Sequence, residues 1–193
     1  MRELVWQRIS DVDAAVLCRL RRIERRWVTA LMHALTRLGE TGSWLILALV
    51  LLAAGGDGGQ QAAHLLGGAG SALVSSQILK RTFRRPRPSV RLPGFAALTE
   101  NPDAFSFPSG HTAVAFGVAV AMAGQGAGFE WVLFPLAAGI GVSRVYLGAH
   151  YPLDVACGTL AGSGSGLIAR SLLDGSLSVT VHTASLLLGM PLG

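Results

Sequence analysis

Three short stretches carry residue types suited to chemistry on a phosphate: KRTFRRPRP at 80–88, FPSGH at 107–111 and SRVYLGAHYPLD at 143–154. Six residues separate Lys80 from Arg87, five separate Arg144 from His150, and three separate His150 from Asp154. A phosphate needs cations and N–H donors. Lys80 supplies a point charge, while Arg87 and Arg144 present planar forks that grip two oxygens at once. Ser109 and Gly110 open an apolar run that reads as a helix, where unpaired backbone N–H groups and the positive dipole end favour an anion. Glycine there allows close approach.

His150 and Asp154 add reactivity. Pro152 biases Tyr151 away from helix, so His150 is expected just before a helix and Asp154 in its first turn. From there the carboxylate can accept from one ring nitrogen and leave the other free to attack phosphorus. His111, arriving from another helix, can protonate the leaving oxygen. Cys18 and Cys157 lie far apart with no CxxC or Cys/His cluster, so neither a disulfide framework nor a zinc site is indicated, and no metal or cofactor is expected.

These residues must be positioned by an unusually apolar chain. Of its 193 residues 51% are hydrophobic and only 14% charged, against about a quarter charged in ordinary soluble domains. Five stretches, approximately 43–55, 62–79, 111–129, 131–149 and 153–173, have the composition of membrane spans. Their frequent Gly and Ser suit close helix packing in lipid. No cleavable signal peptide is recognised. The expected fold is all-α: a polytopic transmembrane helix bundle of five to six spans, preceded by an amphipathic helical region. The expected division is 1–40 for that N-terminal region, 41–175 for the core and 176–193 for a C-terminal tail, all within a single domain. In the first part, Val28, Leu31, Met32, Leu35 and Leu38 recur at helical spacing among arginines, as in a helix lying on a membrane surface. If the spans alternate simply, the end of the second, start of the third, end of the fourth and start of the fifth share one side, and the three stretches meet.

KRTFRRPRP, PSGH and SRVYLGAHYPLD together resemble, at every position and spacing, the three-part signature of the type 2 phosphatidic acid phosphatase family. That family also includes bacterial undecaprenyl pyrophosphate phosphatases, glucose 6-phosphatase and vanadium haloperoxidases. The resemblance runs from about residue 39 to 170. It implies a metal-independent membrane phosphatase acting through a phosphohistidine, with His150 as nucleophile, Asp154 orienting it and His111 as acid and base. Lys80, Arg87, Ser109, Gly110 and Arg144 would hold the phosphate. The chain most resembles the undecaprenyl pyrophosphate phosphatases, with phosphatidylglycerol phosphate, phosphatidic acid and lipid A phosphate as other substrates; lipid phosphotransfer is a further alternative.

The expected partners are a membrane lipid substrate and the bilayer, in a bacterial inner membrane. The resemblance places the site on the periplasmic face, whereas the positive-inside rule would put the basic blocks in the cytoplasm. Five arginines and the only lysine fall within 79–92. Nucleic acid is not an expected partner, because the cluster lacks interleaved aromatics or a recognisable module. A non-catalytic phospholipid-binding protein is the rival of another class, but binding alone needs no oriented nucleophile. Arg81, Arg84, Arg85 and Arg91 lie outside the signature and are read as headgroup or diphosphate contacts, or as solvated loop. Asp103 and Glu100 are read as loop solvation.

Overall fold

The computed structural model describes residues 2–22, 24–100, 103–126 and 128–188, with side chains between 10 and 175. Among the described residues there are eight helices and no strand: α1 (Arg2–Arg21), α2 (Arg26–Leu38), α3 (Thr41–Ala54), α4 (Gly58–Phe83), α5 (Pro88–Arg91), α6 (Gly110–Met122), α7 (Phe129–Tyr146) and α8 (Pro152–Leu188). The five apolar stretches correspond to α3, α4, α6, α7 and α8. The last continues as helix well into the expected C-terminal tail.

Helix ends follow local chemistry. α5 and α8 both begin at a proline, whose missing N–H and fixed φ suit the first helical position. α4 ends where Arg84 turns left-handed, at φ 48, and caps the carbonyl of Lys80. α6 begins directly after Ser109, which is extended at φ −68 and ψ 110.

Helix α6 is the centre. It packs against α4, α7 and α8, and Ala113, Ala115, Val118, Ala119, Ala121 and Met122 are all buried along it. The close approach depends on glycine. A Cβ on Gly162 of α8 would lie 2.1 Å from the Ala113 carbonyl oxygen, and one on Gly68 of α4 would lie 2.5 Å from that of Gly117. Small residues therefore set the helix spacing, as the Gly-rich spans lead one to expect. Larger side chains fill the level between α3, α4, α6 and α7, where Trp44, Leu65, Met122, Leu133 and Ile140 form a cluster.

The large apolar residues that remain point outward. Leu45, Ile46 and Leu49 on α3, Val74 and Ile78 on α4, Trp131 and Val132 on α7, and Leu160, Leu167 and Ile168 on α8 are exposed. A belt of this size on several helices is the surface of a protein solvated by lipid. By length and hydropathy no single helix among the described residues is long and apolar enough to cross a membrane; α2 and α3 satisfy the criterion only together, bent by 58° at the turn between them.

Two polar layers bound this belt. One holds Lys80, His150 and Asp154. The other joins His64 to Asp174 (2.9 Å), Asp174 to Arg170 (3.4 Å) and Gln61 to the Gln125 carbonyl (3.1 Å). His64 and Lys80 are sixteen residues apart on α4, or about 24 Å at 1.5 Å per residue, somewhat less than the roughly 30 Å of a hydrocarbon core.

Candidate active site

The site is assembled from helix ends on one polar layer. Lys80 lies in the last turn of α4, Arg87 just before α5, Ser109 and Gly110 at the start of α6, Arg144 in the last turn of α7, His150 in the loop before α8, and Asp154 in the first turn of α8. The structure brings Lys80, Arg87, Ser109, Arg144, His150 and Asp154 together as buried groups. His111 and Gly110 line a polar cavity of about 400 Å³ with Lys80 and Asp103. Over Gly110 a Cβ would meet nothing closer than 3.8 Å, so the space there opens toward the Lys80 ammonium.

His150 has a defined tautomer. Its Nδ1 lies 2.7 Å from the carbonyl oxygen of Ser106, to which it can only donate, which leaves Nε2 as the lone-pair nitrogen. Nε2 faces the cations, 3.4 Å from Arg87 Nη1. The same Nη1 donates to the Ala149 carbonyl (2.8 Å), and Arg87 Nε donates to the Asp103 carbonyl (2.7 Å), so the guanidinium is held on several sides.

The sequence reading has Asp154 accepting from the imidazole, and here the structure differs. Asp154 Oδ2 is 3.7 Å from Nδ1, an ion-pair rather than a hydrogen-bond distance. The carboxylate is already engaged: Oδ2 accepts from the Tyr151 amide (2.9 Å) and Oδ1 from Arg85 Nη1 (2.7 Å). The tautomer is therefore set by a backbone carbonyl, with Asp154 acting through its charge. Burial is the main influence on the His150 ring and drives its pKa down to about 4, with Arg144 and Arg87 pushing the same way against Asp154. The ring is neutral at physiological pH.

Ser109 is used more than the sequence suggests. Its amide donates to the Asp154 carbonyl (2.9 Å), tying α6 to α8, and its hydroxyl accepts from Thr112 Oγ1 (2.9 Å). The hydroxyl hydrogen remains available for a phosphate oxygen. Arg144 Nη1 donates to Thr36 Oγ1 (2.6 Å), so α2 also orients a cation of the site.

Two further departures concern charged residues read as solvation or headgroup contacts. Asp103 places its carboxylate between Lys80 and Arg87, accepting from both. Burial pushes its carboxyl up, but the Lys80 and Arg87 donors outweigh that and hold it below the usual carboxylate range. Arg85 does not face a headgroup; it bridges Asp154 and Asp13. Nothing in spacing announces Asp103, Asp13, Thr36 or the Ser106 carbonyl. Arg85 could have been singled out only by its place inside the basic stretch. Among the described residues no group of three His, Cys, Asp or Glu is placed to hold a metal ion.

The polar cavity is not isolated. It shares Thr41, Leu73 and Val114 with an apolar groove of about 170 Å³ whose other walls include Trp44, Ala69 and Gly70. A path thus runs from Lys80 between α3 and α4 toward the apolar belt.

Residues 61–176 match the family model described as PAP2 superfamily. The decaprenylphosphoryl-5-phosphoribose phosphatase of Mycobacterium tuberculosis is 34% identical over 171 residues, covering 86% of this chain and 92% of that one. Among solved structures, Aquifex aeolicus LpxE superposes with a TM-score of 0.72 at 28% identity, over 81% of this chain and 93% of the other. The first transmembrane PAP2 type phosphatidylglycerolphosphate phosphatase from Bacillus subtilis superposes with a TM-score of 0.67 at 27% identity, over 88% of this chain and 86% of the other.

Proposed function

The chain belongs to the PAP2 superfamily, and from that premise and the geometry of the site we propose that it is an integral membrane lipid phosphatase in which His150 is the nucleophile. The observation that carries the reading is the lone-pair nitrogen of a neutral, buried histidine facing the Arg87 guanidinium at 3.4 Å. Lys80, Arg87, Arg144, the Ser109 hydroxyl and the amide of Gly110 hold the phosphate and disperse the charge that grows on its equatorial oxygens. His150 Nε2 attacks phosphorus, the leaving oxygen takes the electron pair of its bond, and His111 supplies the proton. Water activated by His111 then cleaves the phosphorus–nitrogen bond and releases inorganic phosphate. Each step inverts phosphorus, so the overall course is retention.

The substrate we propose is a polyprenyl lipid with a terminal phosphate: a diphosphate, as in undecaprenyl pyrophosphate, or a phosphosugar like that named for the mycobacterial relative. The apolar groove of about 170 Å³ between α3 and α4 offers a prenyl chain an apolar wall beside the cavity. We place the protein in a bacterial inner membrane with the site on the periplasmic side. An impermeant thiol reagent on intact cells should label Cys at exposed position 89 (Ser89→Cys, in a background lacking Cys18 and Cys157). Protection until lysis would reverse the orientation.

The decisive experiment is phosphate release by purified protein in detergent with excess EDTA. The panel is undecaprenyl pyrophosphate, a decaprenyl phosphosugar, phosphatidylglycerol phosphate, phosphatidic acid, lipid A phosphate and a soluble sugar phosphate. Polyprenyl substrates should lead. Faster turnover of the soluble phosphate would overturn the lipid assignment, and phosphatidylglycerol phosphate or phosphatidic acid in the lead would overturn the polyprenyl assignment.

A further inference from the structure

Arg85 sits between Lys80 and Arg87 in sequence but turns away from the phosphate cavity. Its Nη1 donates to Asp154 Oδ1 (2.7 Å) and its Nη2 to Asp13 Oδ2 (2.6 Å). The guanidinium lies over the Tyr151 ring, 4.1 Å from its centroid. Asp13 Oδ1 accepts from the Leu153 amide (2.9 Å), one of the unpaired donors at the start of α8. Asp13 is 6% exposed and Asp154 fully buried. Beside them Leu17 of α1, also fully buried, packs with Val145 and Tyr151. Helix α1 is thus fixed against the loop that bears His150.

Burying two carboxylates around one arginine is costly unless the arrangement does something. Their charges sum to one net negative, next to a ring that begins neutral. When Nε2 bonds to phosphorus its lone pair is consumed, the proton stays on Nδ1, and the ring becomes positive. The arginine also fixes the carboxylate: with Oδ1 held by Arg85 and Oδ2 by the Tyr151 amide, Asp154 keeps one orientation, 3.7 Å from Nδ1. Without Arg85, two buried carboxylates would repel, and one would take up a proton.

We propose that Asp13 and Arg85 are positioning residues for the nucleophile: they lock Asp154 and, with it, supply the single net negative charge that offsets the positive ring of the phosphorylated enzyme. The inference rests on the reading of His150 as nucleophile. It makes α1, which lies wholly before the segment matching the PAP2 family, part of the reaction machinery.

The test is single-turnover phosphoenzyme formation by rapid quench, with competitive inhibition by inorganic phosphate read in parallel. Asp13→Asn removes the charge at nearly constant shape. It should slow phosphoenzyme formation by roughly tenfold to a hundredfold, leave competitive inhibition by inorganic phosphate within about twofold, and lose part of its effect in an Asp154→Asn background, where the group it positions is gone and only its own charge is left. Arg85→Lys keeps the charge without the fork and should retain more activity than Arg85→Ala; it carries the test if Asp13→Asn does not fold. A wild-type rate in Asp13→Asn, or the same loss in both backgrounds with a lowered Tm, would overturn the proposal in favour of simple packing. If the wild-type protein forms no phosphoenzyme, the functional reading fails instead, so the two failures are distinct.

Discussion

His150 Nε2 and Arg87 Nη1 stand 3.4 Å apart, so the nitrogen that carries the lone pair and the guanidinium proposed to grip the phosphate oxygens address the same point. A phosphorus atom bound by the arginine is held within reach of the ring. His150→Ala should therefore abolish turnover and the phosphoenzyme alike. His111→Ala should lose most turnover yet still form phosphoenzyme with an acidic leaving group, which needs no proton. Peptide mapping after rapid quench checks both, and label on His111 would refute the assignment.

The depressed pKa of His150 fixes the acid limb of activity. A base whose pKa lies at about 4 is in its reactive, neutral form above that value and is lost only as pH falls through it. After correction for substrate ionisation, the limb of kcat/KM that reports His150 should lie near pH 4. A decline centred near the ordinary histidine value of about 6.5 would show that burial does not hold the ring neutral.

Asp103 holds its carboxylate between Lys80 and Arg87, two of the cations proposed to bind the phosphate. Binding substrate requires exchanging one anion for another. Asp103→Asn weakens the resident anion, so inhibition by vanadate or inorganic phosphate should tighten by roughly tenfold, given charge-assisted bonds of about 1.5–3 kcal/mol. A Ki raised by the substitution would mean that Asp103 orders the cations rather than competing for them.

Helix spacing gives a stability prediction with an internal control. Gly162→Ala drives a Cβ into the Ala113 backbone at 2.1 Å, whereas Gly164→Ala, two residues along, meets nothing within 4 Å. The first should destabilise by about 1–3 kcal/mol through overpacking. The second should be neutral or slightly stabilising, since alanine is the better helix former. Thermal unfolding in detergent measures both, and equal effects would remove the glycine contact as the cause.

Much of the site was legible because phosphate chemistry constrains residue type. Lys80, Arg87, Ser109, Arg144, His150 and Asp154 converge from five helices, and only a spacing pattern tied to span ends could foretell that. The partners that arrange them were hidden. Ser106 contributes a carbonyl, which any residue possesses. It is aligned by pairing of Pro86 with Phe105 and by the Ser106 amide donating to the Arg85 carbonyl (2.8 Å), contacts that depend on where a long loop folds back. Asp13 and Thr36 come from helices that read as amphipathic surface elements, and their polar residues are indistinguishable in sequence from solvated ones. The bundle itself was readable from apolar runs. The 58° angle between α2 and α3 was not, because nothing in the residues of the turn at Gly39 and Glu40 measures how sharply it bends.

The junction of the cavity at Lys80 and His111 with the apolar groove at Thr41, Leu73 and Val114 changes what concentration means for this protein. A lipid entering between α3 and α4 arrives by lateral diffusion in the plane of the bilayer and keeps its tail in hydrocarbon, while only inorganic phosphate departs into water. Encounter is two-dimensional. The quantity that governs rate is then the mole fraction of substrate among surrounding amphiphiles, so adding inert detergent at fixed total substrate should slow the reaction by surface dilution alone.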